Sequence, residues 1–117
     1  LKVMGDKDLL YRAFYNIRGN AIQAMGNAGT LTIQATRVAG SKAEIELVFQ
    51  DSGSGFPEDS MSRLLDPFFT TKDDGTGLGL PIVNNIINSH GGRLELSNAP
   101  HGGAEVHIFL PETKRPA

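Results

Sequence analysis

Leu10, Phe14, Ile17, Ala21 and Met25 recur every three or four positions, and this rhythm does most to limit the folds open to the chain. Side chains at that spacing share one face of an α-helix, so the pattern predicts a single amphipathic helix from Lys7 to about Met25. Asp6 suits its N-cap, because a carboxylate accepts from the unpaired N–H groups of a first turn. Gly26-Asn-Ala-Gly29 ends it. The period then changes. Thr30–Arg37 alternates as a half-buried strand, with Leu31, Ile33 and Ala35 on one face. After a turn over Val38–Ser41, Lys42–Gln50 reads as a second strand with Ile45, Leu47 and Phe49 inward, which predicts a hairpin. Asp51-Ser-Gly-Ser-Gly-Phe-Pro57 breaks regular structure, and a short helix is expected over Glu58–Leu65. A second helix runs from Leu80 to about His90, where Gly91-Gly92 offers a residue suited to positive φ. Arg93–Ser97 and Ala104–Leu110 are strands around the turn Asn98–Gly103, and Leu1–Met4 reads as a short edge strand. There is no internal repeat.

The order is therefore strand, long helix, hairpin, loop, helix, hairpin. Helices and strands are partly segregated, which predicts an α+β, two-layer sandwich: a mixed, mostly antiparallel sheet covered on one face by helices. One domain is expected over residues 1–111, with a polar tail over 112–117 that frays. The 117 residues suffice for one domain with a core. A formal net charge of -2 excludes a global basic field for nucleic acid or anionic lipid. The absence of cysteine excludes disulfides and cysteine-ligated metal and fits a reducing compartment. No apolar run is long enough to span a membrane, and Leu1 does not begin a signal peptide. A chain opening without Met inside an apolar stretch reads as a piece of something longer.

Three stretches carry chemistry. In Asp66–Leu80, Gly75, Gly77 and Gly79 alternate directly before the second helix, whose first turn accommodates Pro81. A glycine-rich loop feeding a helix N-terminus presents free N–H groups and the positive dipole end to an anion. Lys72 could reach a phosphate as a point charge. A polyphosphate, most simply a nucleotide, is the ligand this suggests; alone, such a cluster reads equally as a flexible surface loop. Asp51, at the end of a core strand, could accept from a ligand's exocyclic amine, with Gly53 and Gly55 letting backbone approach a flat ring. The same residues also suit an ordinary turn. Asn16 and Asn20 lie at i and i+4 on the first helix, and Gln23 extends their stripe. They are solvated amides, or Asn20 lends a neutral oxygen to Mg²⁺. Phe68 and Phe69 are adjacent in a loop, either one buried and one exposed or a docking spot that responds to lid closure.

Together these stretches resemble the catalytic, ATP-binding domain of bacterial sensor histidine kinases, within the GHKL ATPase superfamily. Asn16-Ile-Arg-Gly-Asn20-Ala is similar to that family's N box, and Asp51-Ser-Gly53-Ser-Gly55 to its first glycine box. Asp66-Pro-Phe68-Phe69-Thr70-Thr71-Lys72 is similar to the F box, and Gly75-Thr76-Gly77-Leu78-Gly79-Leu80 to the second glycine box. His90-Gly-Gly, a strand, Gly102-Gly103 and a last strand ending Leu110-Pro111 resemble the family's ending. Four motifs in order cover nearly the whole chain. The wording Asn20-Ala-Ile-Gln-Ala-Met25 resembles nitrogen-regulator-type kinases.

The resemblance implies ATP and Mg²⁺ as cofactors and a set of roles. Asp51 would contact the adenine amino group, with Gly53 and Gly55 beside it. Asn20 would ligate Mg²⁺, and Asn16 would support the phosphates. An ATP lid would lie within residues 66–79, with Thr70, Thr71, Lys72, Gly75, Thr76, Gly77, Leu78, Gly79 and Leu80 around the triphosphate. Phe68 and Phe69 would couple the lid to the rest of the kinase. Many relatives carry Lys at the position of Gln23, so Lys72 would bear more of the phosphate contact here. The hydrolysing relatives carry Glu at the first N-box position as the base for water; an amide at Asn16 cannot take that proton, which favours transfer to another nucleophile. Anti-sigma-type serine kinases share the fold but usually carry that Glu, and the intact boxes argue against a degenerate regulatory module. His90, His101 and His107 do not read as the phosphoacceptor: His90 precedes a helix stop where a cation complements the dipole, His101 is in a turn, and His107 points outward from a strand. The implied partners are a histidine-bearing dimerisation domain of the same kinase and a response regulator receiver domain, with no nucleic acid. The parent would be a homodimer and this piece a cytoplasmic monomer that binds Mg-ATP without phosphorylating itself, with membrane anchoring of the parent left open.

Overall fold

The computed structural model describes residues 5–26, 28–38, 44–65, 79–100 and 102–112. The Leu1–Met4 strand, most of the first hairpin's turn, and Phe68, Phe69, Thr70, Thr71, Lys72, Gly75, Thr76, Gly77 and Leu78 lie outside them. Helix α1 spans Lys7–Ala24, as its periodicity requires. Asp6 caps it, its Oδ1 accepting from the N–H groups of Asp8 at 3.0 Å and Leu9 at 3.1 Å. Strand β1 is Leu31–Val38 and β2 is Glu44–Asp51. The short helix after the first glycine box is a 3₁₀ helix, Glu58–Arg63. Helix α2 is Gly79–Ser89, followed by β3, Arg93–Asn98, and β4, Ala104–Pro111. Gly91 has φ of 76°, the left-handed conformation that ends α2.

The strand order is β1-β2-β4-β3, and all three pairings are antiparallel. Two hairpins meet at β2 and β4. Register fixes the faces: Phe49 opposes Val106, Leu47 opposes Ile108 and Ile45 opposes Leu110, while Leu94 and Leu96 of β3 join the same side. Against this face pack Leu10, Ala13 and Ile17 of α1 and Val83, Ile86 and Ile87 of α2, which form one apolar cluster with the central strands. The α+β two-layer reading is met.

Two expectations need correction. The alternation in β1 predicts a half-buried strand, yet Thr32–Arg37 are exposed and Ile33 keeps 56% of its surface. β1 is an edge strand, and only Leu31 packs against the helix-covered cluster. His90 is expected as a cation at the end of α2. Instead its Nε2 accepts the N–H of Asp6 at 2.9 Å, which requires that nitrogen to be unprotonated, and Nδ1 donates to the carbonyl of Ile86 at 2.7 Å. One neutral tautomer thus joins the start of α1 to the end of α2.

The other face of the sheet is polar. His107, paired with Val48 and Glu95, places Nδ1 2.8 Å from Glu46 and Nε2 3.1 Å from Glu105. Burial alone would lower the imidazole pKa, but the hydrogen bonds to Glu46 and then Glu105, with their charges, outweigh it and raise the pKa above the usual 6.5. A folded-state pKa above the unfolded one contributes stability that is full below about pH 6.5 and is lost as pH rises through the folded value. The melting temperature of wild type over His107→Gln should therefore be largest near pH 6 and shrink toward pH 9; a constant difference would show that the ring is not charged between the two glutamates.

Candidate functional site

The cavity lies where β2 ends, β4 begins and the near ends of the helices meet. It encloses about 110 Å³. Its walls are mostly apolar: Ile17 and Ala21 from α1, Phe49 and Val106 from the sheet, and Leu64 and Leu80 beyond the 3₁₀ helix. Gly55, Phe56 and Pro57 close a further side. Among the described residues, the polar side chains lining it are Asp51 and Asn20. A flat apolar ring with one polar edge fits such a space.

Asp51 is 7% exposed, the one buried charged residue among those described. β2 delivers it to the cavity because Phe49, two residues earlier, points into the same layer. Its Oδ1 accepts the N–H of Gly53 at 2.9 Å and the N–H of Ala104 at 3.0 Å. Among the described residues Oδ2 accepts no hydrogen bond. A buried carboxylate thus keeps one oxygen for its own fold and has the other available to a donor in the cavity. Gly103, at φ of 89°, must be glycine here, since a Cβ would run into the Asp51 carbonyl oxygen.

Asn20 reaches the cavity from the last third of α1, and Asn16 sits one turn earlier, half-buried, outside the lining. Gln23 is exposed near the end of α1. Leu80, in the first turn of α2, lines the cavity, so the N-terminal end of that helix opens on it. Gly53 holds Asp51 through its N–H and Gly55 forms wall. The structure therefore brings Asn20, Asp51, Gly55 and Leu80 to one space, with Gly53 bracing it; Asn16 and Gln23 stay outside the lining, and Gly79 begins α2. A cation needing few protein ligands takes a neutral oxygen of the kind the Asn20 amide carries, and Asn20 lines the cavity.

Sequence reasoning passed over several members. The sequence reads Phe56 only as part of a break between elements, yet Phe56 lines the cavity. Ser52 ties the loop down: its hydroxyl accepts the N–H of Thr30 at 2.9 Å and donates to the Met25 sulfur at 3.3 Å. The available signal for Phe56 is Phe-Pro after a glycine pair; Met25 closes the apolar stripe of the first helix, but nothing local points it at Ser52.

Residues 5–114 match the sequence model of the histidine kinase-, DNA gyrase B-, and HSP90-like ATPases. The sensor histidine kinase ZraS of Salmonella typhi is 39% identical over 114 residues, covering 97% of this chain and 24% of its own length. The chain thus spans about a quarter of the length of that curated relative. Among solved structures, the mycobacterial sensor histidine kinase MprB is similar with a TM-score of 0.83 and 32% identity, covering 93% of this chain and 74% of that one. The catalytic domain of the histidine kinase ThkA is similar with a TM-score of 0.82 and 32% identity, covering 95% and 71%.

Removing the Asp51 carboxylate leaves two backbone N–H groups without an acceptor. Asp51→Ala should cost at least about 1–3 kcal/mol, the desolvation penalty of an unsatisfied buried donor. Asp51→Asn, which keeps an acceptor at Oδ1, should cost clearly less. Urea unfolding with unchanged slope reads the difference; equal losses would mean that Oδ1 does not hold the Ala104 and Gly53 amides.

Proposed function

This chain belongs to the histidine kinase-, DNA gyrase B- and HSP90-like ATPase family, among the ATP-binding catalytic domains of histidine kinases, and from that premise we propose that it binds Mg-ATP and presents the γ-phosphate to a histidine on a dimerisation domain, for relay to a response regulator. The observation that carries the reading is the buried Asp51 carboxylate, one oxygen held by two amides and the other available inside an apolar cavity. That oxygen accepts the exocyclic amine of adenine. Ile17, Ala21, Phe49, Phe56 and Val106 exclude water around the ring.

The rest of the nucleotide extends toward Asn20 and the start of α2, where the first-turn N–H groups of a helix and its dipole favour anionic oxygens. Asn16 supports the phosphates from one turn back along α1, and Gln23 offers no charge to them. Thr70, Thr71, Lys72 and the glycines Gly75, Gly77 and Gly79 belong to a lid over residues 66–79, with Thr76, Leu78 and Leu80 against the triphosphate and Phe68 and Phe69 linking lid to kinase. The Asn20 oxygen would hold Mg²⁺ together with phosphate oxygens, and the bound ion would supply charge neutralisation. The domain's share of the reaction is alignment: the bond from γ-phosphorus to the bridging oxygen breaks as one to an imidazole nitrogen forms in line. An amide at Asn16 leaves water without the base a hydrolase needs, which supports transfer over hydrolysis. The ATP-binding unit is residues 1–111. The acceptor histidine lies in another domain of a dimeric parent.

Calorimetric titration with Mg-ATP tests the pocket. Wild type should bind, and Asp51→Asn should bind roughly 10- to 100-fold more weakly, the worth of a hydrogen bond to a charged acceptor. Unchanged affinity in the variant would remove Asp51 from the adenine edge. Incubated with γ-labelled ATP, this chain alone should take up no acid-labile phosphate; label on it would place the acceptor here. In the full kinase, Asn20→Ala should abolish Mg-dependent transfer, and near-normal transfer would exclude Asn20 from the metal.

A further inference from the structure

Asn98, at the end of β3, makes contacts that a turn asparagine does not need. Asparagines at turns usually bond backbone two or three residues away. The β3–β4 turn is already closed by its own backbone: Ala99 donates to the carbonyl of Gly103 at 2.9 Å, and Gly102 donates to the carbonyl of Ala99 at 3.1 Å. The Asn98 side chain reaches instead to Phe56, 42 residues earlier. Its Oδ1 accepts the Phe56 N–H at 2.7 Å, and its Nδ2 donates to the Phe56 carbonyl at 3.0 Å. Both backbone polar groups of one residue are thus satisfied by a single planar amide, as a neighbouring strand would satisfy them. The fit is close on the adjoining side too. Gly55 has φ of 84°, and a Cβ there would stand 2.8 Å from Asn98 Oδ1.

The position of this clamp gives it a consequence for the site. Asn98 pairs across the hairpin with Ala104. The N–H of Ala104 is one of the two groups that hold Asp51 Oδ1. The end of the β3–β4 hairpin therefore carries both parts of the cavity that a base would touch: the carboxylate through Ala104 and the Gly55–Phe56 wall through Asn98. We propose that Asn98 is a positioning residue for the nucleobase, its side-chain amide setting the distance and tilt of the Phe56 wall relative to the Asp51 carboxylate. The inference rests on the nucleotide-binding reading above and deepens it. With the clamp in place, a purine seated against Phe56 puts its 6-position at Asp51. An amino group there donates to the carboxylate, whereas a keto oxygen meets it acceptor to acceptor. With the wall released, the base shifts and that discrimination fades.

The test compares ADP and GDP binding, by calorimetry, to wild type, Asn98→Ala and Asn98→Asp of this chain, with a melting curve for each. The aspartate is isosteric and keeps the acceptor for the Phe56 N–H while losing the donor to its carbonyl, so it decides the matter if the alanine variant does not fold. Both variants should bind ADP about 5- to 10-fold more weakly, the worth of one or two neutral hydrogen bonds. Their preference for ADP over GDP should fall by a similar factor. A role confined to stability would lower the melting temperature and leave the preference intact. Folded variants with wild-type affinity and preference overturn the role of Asn98 alone. Failure of wild type to bind ADP overturns the nucleotide reading and this inference with it.

Discussion

One carboxylate oxygen with two backbone donors is the contact on which the site depends. Asp51 Oδ1 joins the last residue of β2 to the first of β4 through Ala104 and turns the following loop through Gly53. In water such an oxygen would gain little from either partner. Buried, it cannot be released without leaving two amides and a charge unpaired, so the arrangement is held or lost as a unit. The cavity inherits its shape from this: the sheet sets the carboxylate, the hairpin end sets the wall opposite, and the near ends of the helices supply the remaining sides.

The two faces of the sheet do different work with the same strands. Inward positions of β2 and β4 are aliphatic or aromatic and hold the helices. Outward positions carry Glu44, Glu46, Glu105 and His107, and at the edge Arg93 lies 3.9 Å over the Phe109 ring while bonding Glu44. These charges lie on the side away from the cavity, and among the described residues Asp51 is the one charged side chain that lines it.

Much of this was legible in the chain because the relevant signals are local. The helix over Lys7–Met25 follows from spacing within one segment, the stop at Gly91 from its neighbours, and Asp51 from its place after Phe49. What was not legible depends on partners far along the chain. Ile33 alternates like a buried residue, but alternation says which side a residue faces and not whether anything covers that side. His90 reads as a cation at a helix end until Asp6, 84 residues away, is seen donating to it. Asn98 reads as a turn former for the same reason, its true partner being Phe56. The four motifs that resemble the kinases identified the neighbourhood of the site, while the apolar lining from Phe56, Leu64 and Val106 needed the fold.

The imidazole of His90 joins the helices at the ends remote from the cavity: α1 begins at Asp6 and α2 finishes beside it, while Asn20 and Leu80 stand at the opposite ends. Two helices far apart in the chain are thereby joined at one end as a short loop would join them. A rod fixed at one end has less freedom at the other, so a contact remote from the cavity constrains where Asn20 and Leu80 stand beside it.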